Sequence, residues 1–413
     1  MNLKIPRGST YHKITEEIKD LYFSIFSDLN NQKIINQFEE KFANYNGSKY
    51  SVTFPFARTA FHYAIRSLNI EKNSEVIMSP ITIKPILDVV ILNGLKPVFV
   101  DLNKNDLSYD LVDLKKKITS NTKLILITYL FGVVPNLSKF NKDEFKIDNL
   151  KIIEDFSQCL NGKYEGKKTG NFSDISIYSC SSIKTLDTYG GGVAFTNNKD
   201  NFQLLKEFQK KLKSPKRFFL IKKILINIVR TVITNLTLFN FLTYYILRFA
   251  NIFSKNTKML GERDKRPIKN LPISWFQKYT SFQAQKGIKS LKNIEISDNI
   301  RKKFSEKYIK SLEKFFNFPL GFDKSQNIYW QFLIYVKDPK ELKNKLLKKG
   351  IDTSTTSLEK LNKLSKYSFD FQLHNVDEIY NHSLFLPCFS KLKEKHIDKV
   401  IYEIRKIKEE EKK

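Results

Sequence analysis

Apolar residues recur at helical spacing early in the chain, at Ile34, Ile35, Phe38, Phe42 and Tyr45, which predicts an amphipathic helix. Asn46-Gly47 supplies its stop. KYSVTF then has strand character, and ARTAFHYAIRSLNI predicts a second helix with Phe61, Ala64, Ile65 and Leu68 on one face. From residue 75 onward, short apolar runs alternate with helical segments. EVIMSP, KPVFVDL, KLILITYLFG, LKIIED and DISIYSC predict strands. A helix around 86–92 lies between the first two, and DLVDLKKKI predicts another before KLILITYLFG. This rhythm predicts an α/β fold with a mostly parallel sheet covered by helices. Such sheets bind ligands beyond the carboxyl ends of their strands. The residues just after each strand are therefore the first candidates for function.

The pattern changes at 214–255, where the chain becomes dense in apolar and aromatic residues. Leu220, Ile221, Ile224, Leu225, Ile228, Val229, Val232 and Ile233 recur at helical spacing, with Lys222, Lys223 and Asn227 on the other side. The uncharged run 231–247 is at the short limit for a bilayer span and contains Asn235 and Asn240. An interfacial helical hairpin fits better than a spanning helix, and a hydrophobic lid packed on the protein is the alternative. Basic residues flank the stretch on both sides, which favours contact with an anionic membrane surface through 216–253. Beyond it, RKKFSEKYIKSL, ELKNKLLKKGI and the closing HIDKVIYEIRKIKEEEKK predict helices, and IYWQFLIYV a strand. The expected organisation is a large domain over 1–213, the basic apolar insert over 214–255 and a smaller C-terminal α/β domain over 256–413.

Composition adds three constraints. Lys and Arg number 71 against 43 Asp and Glu, a net charge of +28. A field of that size attracts polyanions, but the lysines are scattered and no nucleic-acid-binding motif accompanies them. A nucleic-acid partner is not expected. Cys159, Cys180 and Cys388 are far apart and odd in number, which suggests neither a disulfide framework nor a metal site and fits a reducing compartment. MNLKIPRGSTYHK is followed by no apolar stretch, so no secretory signal is expected. The expected location is cytoplasmic, with peripheral contact on the inner face of the cell membrane.

Two residues at the predicted sheet edge carry chemistry. Asp155 follows LKIIE directly, and Lys184 follows DISIYSC and precedes Gly190-Gly191-Gly192. A carboxylate and a lysine so placed suit pyridoxal 5'-phosphate, which needs an amine for covalent attachment and an acid beside its pyridine nitrogen. Ala57-Arg58-Thr59 opens the helix after KYSVTF. The first turn offers backbone N–H groups and a positive dipole end to a phosphate, Thr59 a hydroxyl and Arg58 a cation. As the alternative, Thr59 is an ordinary cap residue. Ser179, near the end of DISIYSC, is a further donor.

The ordered series FEEKFANYNGSKYSV, ARTAFHYAIRSLNI, SEVIMSPITI, NGLKPVFVDLN, IIEDFSQC, YSCSSIKT and GGGVAFT, with SLFLPCFSKLKEKHID near the end, resembles the DegT/DnrJ/StrS family of sugar aminotransferases. The resemblance implies a fold-type-I pyridoxal-phosphate transferase with a mostly parallel seven-stranded sheet. It implies that Lys184 holds the cofactor and carries protons, that Asp155 pairs with the pyridine nitrogen and that Gln158 contacts the ring hydroxyl. Ser179 would bind phosphate with help from the 57–59 turn. It further implies a homodimer with active sites at the interface, an amino donor such as glutamate and a nucleotide-linked keto sugar as acceptor. The insert raises a lipid-linked acceptor as a variant.

The chain departs from the family pattern in four places. Ala57-Arg58 replaces a Gly-Thr pair, and Ile83 stands where an aromatic stacks on the cofactor. Tyr189-Gly190-Gly191-Gly192 replaces Gly-Glu-Gly-Gly, and Phe276-Gln277-Lys278 replaces an Asn-x-Arg motif. Two rival readings remain. A sugar dehydratase of the same family usually carries histidine in place of the lysine, which Lys184 argues against. A membrane-associated scaffold that has lost catalysis would fit the altered turn and Ile83.

Overall fold

Seven strands form the central sheet. They are β1 (Tyr50–Phe54), β2 (Glu75–Met78), β3 (Lys96–Phe99), β4 (Thr122–Thr128), β5 (Lys151–Asp155), β6 (Ile175–Ser179) and β7 (Gly192–Thr196). Their spatial order is β1-β7-β6-β5-β4-β2-β3. All neighbouring pairs are parallel except those made by β7, which runs antiparallel to both β1 and β6. The computed structural model describes residues 3–140, 145, 147–253, 268–355, 358–364 and 372–412, the last three residues of the second long stretch by backbone alone. The mostly parallel α/β expectation is met.

Helices α1 (Ile14–Phe26), α2 (Gln32–Asn46), α3 (Ala57–Ser67), α4 (Lys84–Leu92), α5 (Leu111–Lys117) and α6 (Lys199–Lys210) surround the sheet. Because both faces of the central strands are covered, Leu124, Ile125, Leu126 and Ile127 on β4 are all buried, giving the continuous apolar run rather than alternation. The α2 helix starts where the Asn31 side chain accepts the Ile34 N–H and ends at Gly47, whose φ of 82° is left-handed. Its inner face buries Phe38 and Phe42 completely.

The C-terminal half contains α9 (Ser281–Leu291), α10 (Ile294–Leu312), α11 (Pro339–Lys348), α12 (His374–His382) and α13 (Glu394–Glu410), with β8 (Phe332–Tyr335) paired antiparallel to β9 (Ser383–Leu386). A small α/β layer is therefore present within the expected 256–413 unit. The N-terminal segment pairs with this layer. The Ile5 N–H donates to the Gly350 carbonyl at 2.8 Å, the Asp352 N–H donates to the Ile5 carbonyl at 2.9 Å, and Arg7 pairs with Asp352 at 2.7 Å. In the other direction, α9 packs against α2 of the large domain, so the small layer takes shape only from α10 onward. The beginning of the expected 256–413 unit lies outside the described residues.

The insert forms two connected helices, α7 (Arg217–Thr234) and α8 (Tyr244–Phe253), bridged by a short turn and a π-helical segment. The pair is bent by 50° and no single described helix is long and apolar enough to cross a membrane. This is a bent rod, not the expected hairpin. The bend sits at Asn235, whose backbone is extended and whose side chain accepts the N–H groups of Thr237 and Leu238, ending one helix and starting the next. The basic flank on the far side, Lys255 onward, lies outside the described residues.

The polar side of α7 also points the opposite way from expectation. Asn227 is buried and its amide donates to Glu17 at 2.6 Å, while Thr231 shares a 2.7 Å hydrogen bond with Thr10. Burial pushes the Glu17 carboxyl up. Lys223 likewise turns inward. Leu220 and Ile224 are buried with Tyr189 and Phe282, but Leu225, Val229 and Ile233 face outward. The helix docks on α1, whose Glu17 accepts from Asn227 and whose Ser24 carbonyl accepts from Arg217, and these polar partners decide which side is covered.

Candidate active site

The carboxyl ends of β5 and β6 open onto a cavity of ≈ 360 Å³, within the range of small-ligand sites. Asp155, Gln158, Ser179, Lys184, Ala57 and Arg58 all line it. Of the residues expected from sequence, only Thr59 does not. Its hydroxyl donates to the Trp275 carbonyl at 2.9 Å and the residue is buried. It acts inside the first turn of α3, tying that turn to the segment before α9.

Asp155 ends β5, and its carboxylate accepts the Ser157 N–H at 3.0 Å. Burial raises its pKa, and the opposing pull of Ser157 and of the Lys184 charge does not cancel that rise. Asp155 is the one carboxylate among the residues lining the cavity. Gln158 is oriented by the Phe131 N–H, which its Oε1 accepts at 3.0 Å. Phe131 adopts a left-handed φ of 58° to present that donor.

Lys184 lies in the turn after β6, its N–H bonded to the Ser181 carbonyl at 2.9 Å. Its ammonium sits 3.7 Å from the ring centroid of Trp330. The Trp330 indole N–H donates to the Ile183 carbonyl at 2.9 Å, so the ring reaches across from the C-terminal half and is held against the lysine turn. Ile83 lines the cavity as well. Trp330 is the aromatic wall that sequence reasoning missed, and a lone tryptophan in IYWQF gives no signal of its own.

The glycine run closes the opposite wall. Gly190 and Gly191 have φ of 110° and 122°, a region that side chains avoid. A Cβ on Gly190 would lie 2.8 Å from the Lys223 Nζ, one on Gly191 would lie 2.3 Å from the Tyr279 ring, and one on Gly192 would lie 2.3 Å from the Ala57 nitrogen. The run is thus pressed between the insert, the start of α9 and the first turn of α3. The Gln283 amide anchors it by donating to the Thr188 and Gly190 carbonyls at 3.1 and 2.9 Å. Tyr189, which departs from the family pattern, sends its hydroxyl to Asp20 of α1 at 2.6 Å. Phe276-Gln277-Lys278 runs beside the start of the insert, with the Lys278 N–H bonded to the Lys213 carbonyl at 2.8 Å.

The insert itself supplies Lys223 and Arg230 to the cavity wall. Nothing in the sequence marks them, because their inward direction depends on the docking of α7. Arg230, Ile183 and Trp330 are shared with a second chamber of ≈ 290 Å³, bounded further by Arg7, Tyr11, Thr234 and Phe389. The two chambers meet at Lys184's own turn and give one site two compartments.

The residue set fits pyridoxal phosphate on chemical grounds. One amine and one carboxylate follow adjacent parallel strands, a helix N-terminus and a serine face the same space, and apolar walls flank it.

Three comparisons place the chain among known proteins. The model of the DegT/DnrJ/EryC1/StrS aminotransferase family matches residues 14–220 and 255–405, and the gap between these matches falls on the insert. The GDP-perosamine synthase of Escherichia coli O157:H7 is 34% identical over 165 residues, 40% of this chain and 45% of that protein. The chain therefore aligns with less than half of that relative's length. Among solved structures, an aminotransferase from Psychrobacter cryohalolentis superposes with a TM-score of 0.76 at 18% identity, covering 97% of this chain and 98% of that one. The sugar aminotransferase CalS13 from Micromonospora echinospora gives 0.76 at 17% identity, with 97% and 99% covered. These two likenesses are likenesses of fold.

Proposed function

The chain belongs to the DegT/DnrJ/EryC1/StrS aminotransferase family, and from that membership we propose that it is a pyridoxal-phosphate enzyme that moves an amino group, from a donor such as glutamate, onto a keto sugar. The observation that carries the reading is the meeting of Asp155, Gln158, Ser179, Lys184 and the first turn of α3 in one cavity. When bound, pyridoxal phosphate supplies a ring that takes up the electron pair of a breaking C–H bond.

The chain's own residues do the rest. Lys184 provides the attaching amine, and its Nζ carries a proton to and from the substrate carbon. Asp155 keeps the pyridine nitrogen protonated. Gln158, fixed by Phe131, faces the ring hydroxyl. Ser179 and the α3 turn hold the phosphate. Trp330 and Ile83 shut out water from two sides.

The second chamber is the place for the acceptor. Its arginines, Arg7 and Arg230, suit the phosphates of a nucleotide-linked or lipid-linked keto sugar, a precursor of surface polysaccharide or glycolipid. The name borne by the E. coli relative supports the nucleotide-linked class. Lysine at 184, where a dehydratase would carry histidine, favours amino transfer over dehydration. The retained acid and amine favour an enzyme over a scaffold. Borohydride treatment of the protein loaded with pyridoxal phosphate should fix the label on the peptide containing Lys184. Labelling of another peptide, or of none, removes the reading.

A second reading concerns location. Phe218, Phe241 and Phe249 of the insert are 68%, 74% and 65% exposed, and Tyr22 and Phe26 of the adjoining α1 are exposed with them. Arg217, Lys222 and Arg248 lie among these aromatics. A basic, aromatic surface of this kind suits peripheral contact with anionic lipid, on the cytoplasmic face of a membrane. In flotation with phosphatidylserine vesicles, the wild type should rise with the lipid. The triple variant Phe218→Ser, Phe241→Ser, Phe249→Ser should stay in the soluble fraction. Equal flotation of the two rejects lipid contact by this face. A variant that instead turns from dimer to monomer assigns the face to the homodimer that the family likeness supports.

A further inference from the structure

We infer that Lys223, delivered by the insert helix α7, is a ligand of the cofactor's phosphate, so that this chain completes its phosphate site with a cation from its own insertion. The inference rests on the cofactor reading above.

Two contacts fix where the ammonium lies. It is the atom that a Cβ on Gly190 would strike at 2.8 Å. It stands 4.7 Å from the ring centroid of Phe56, the residue that immediately precedes the first turn of α3. Two residues beyond Gly190, Gly192 pairs directly with Ser179 across β7 and β6 and abuts the Ala57 nitrogen. The Lys223 ammonium, the Ser179 end of β6 and the N-terminus of α3 therefore surround one corner of the cavity.

The charge balance of that corner calls for an anion. Lys223 makes no hydrogen bond or ion pair with any described residue, and the charge that acts on it is that of a second cation, Arg58. Arg58 in turn lies 4.0 Å over Phe56 and 4.3 Å over Trp275, stacked so that its charge stays at the same helix end. Desolvation and then the Arg58 charge push the Lys223 pKa down to about 8. The Lys223 ammonium, beside the positive end of a helix and a second cation, is stabilised when a dianion enters. A phosphate monoester answers all three at once. The glycine run is the structural counterpart: Gly190 leaves the width of a lysine head between β7 and α7.

The test compares the full-length wild type with Lys223→Met, which keeps the stem and removes the charge, and with Lys223→Arg. Protein stripped of cofactor is titrated with pyridoxal phosphate and, separately, with pyridoxal, following quenching of tryptophan fluorescence. Loss of one charge-assisted contact corresponds to roughly a ten- to hundredfold weaker Kd. Lys223→Met should show that loss for pyridoxal phosphate and none for pyridoxal, with Lys223→Arg within a few-fold of wild type. Unchanged affinity for pyridoxal phosphate overturns the inference. So does an equal loss for both compounds, or a loss confined to a nucleoside diphosphate. If the wild type takes up no pyridoxal phosphate, the proposed function falls and inorganic phosphate judges the anion site alone. A phosphate-dependent rise in Tm in the wild type that Lys223→Met lacks then sustains an anion site there, and an equal rise in both removes it.

Discussion

Lys184→Ala should lose amino transfer by about three orders of magnitude or more, the scale of removing a nucleophile that is also the general base. The measurement is the half-reaction: 2-oxoglutarate released from glutamate in a single turnover, which needs no knowledge of the acceptor. The variant should remain folded. Among the contacts that the alanine deletes, the ammonium on the Trp330 ring is worth about 1 kcal/mol at a partly exposed site, and Trp330 keeps its own bond to the Ile183 carbonyl. Phosphate contacts should still draw pyridoxal phosphate into the cavity, so binding and turnover separate. A variant that works within tenfold of wild type would show that the proton is carried elsewhere and would end the assignment of Lys184.

The next largest effect is expected from Asp155→Asn, roughly a hundred- to thousandfold fall in kcat, the scale seen when one preorganised electrostatic partner is lost. The substitution is nearly isosteric. An amide oxygen can still accept the Ser157 N–H that now bonds the carboxylate, so the end of β5 should keep its shape. What disappears is the negative charge. Burial already works against that charge, while Ser157 and Lys184 support it. A protonated pyridine nitrogen adds a further favourable partner, and the carboxylate and the ring sustain each other's charge. Without the acid the nitrogen loses its proton and the ring draws electrons weakly. Cofactor affinity should change little, because attachment and phosphate binding use other groups. A kcat within tenfold of wild type would show that the ring nitrogen needs no acid here.

The alternation of strands and helices was legible because a parallel sheet covered on both faces buries every side chain of its inner strands, and such runs stand out. Asp155, Gln158, Ser179 and Lys184 were legible for the same reason: each lies at the end of a strand or a few residues past it. The antiparallel direction of β7 was not, since GGGVAFT reads the same whichever way it enters the sheet. Lys223 was misplaced on the outer side of α7 because its helix carries apolar residues nearly all round, so periodicity could not say which face is covered. The decision rests on the Glu17 carboxylate and the Ser24 carbonyl of α1, which hold Asn227 and Arg217 from more than 190 residues earlier in the chain. Thr59 illustrates the opposite error. A hydroxyl in the right turn was assigned to a ligand, while the carbonyl of Trp275 had already claimed it.

The strand-like segment around Ile5 has a consequence for how this molecule comes into being. Arg7 and Asp352 are separated by 345 positions, and Lys391 and Lys399 donate to the carbonyls of His12 and Leu3. During synthesis these partners are made hundreds of residues after that early segment. Closing so long a loop is entropically expensive and slow. The second chamber, walled in part by Arg7 and Tyr11, therefore depends on the closure of that long loop.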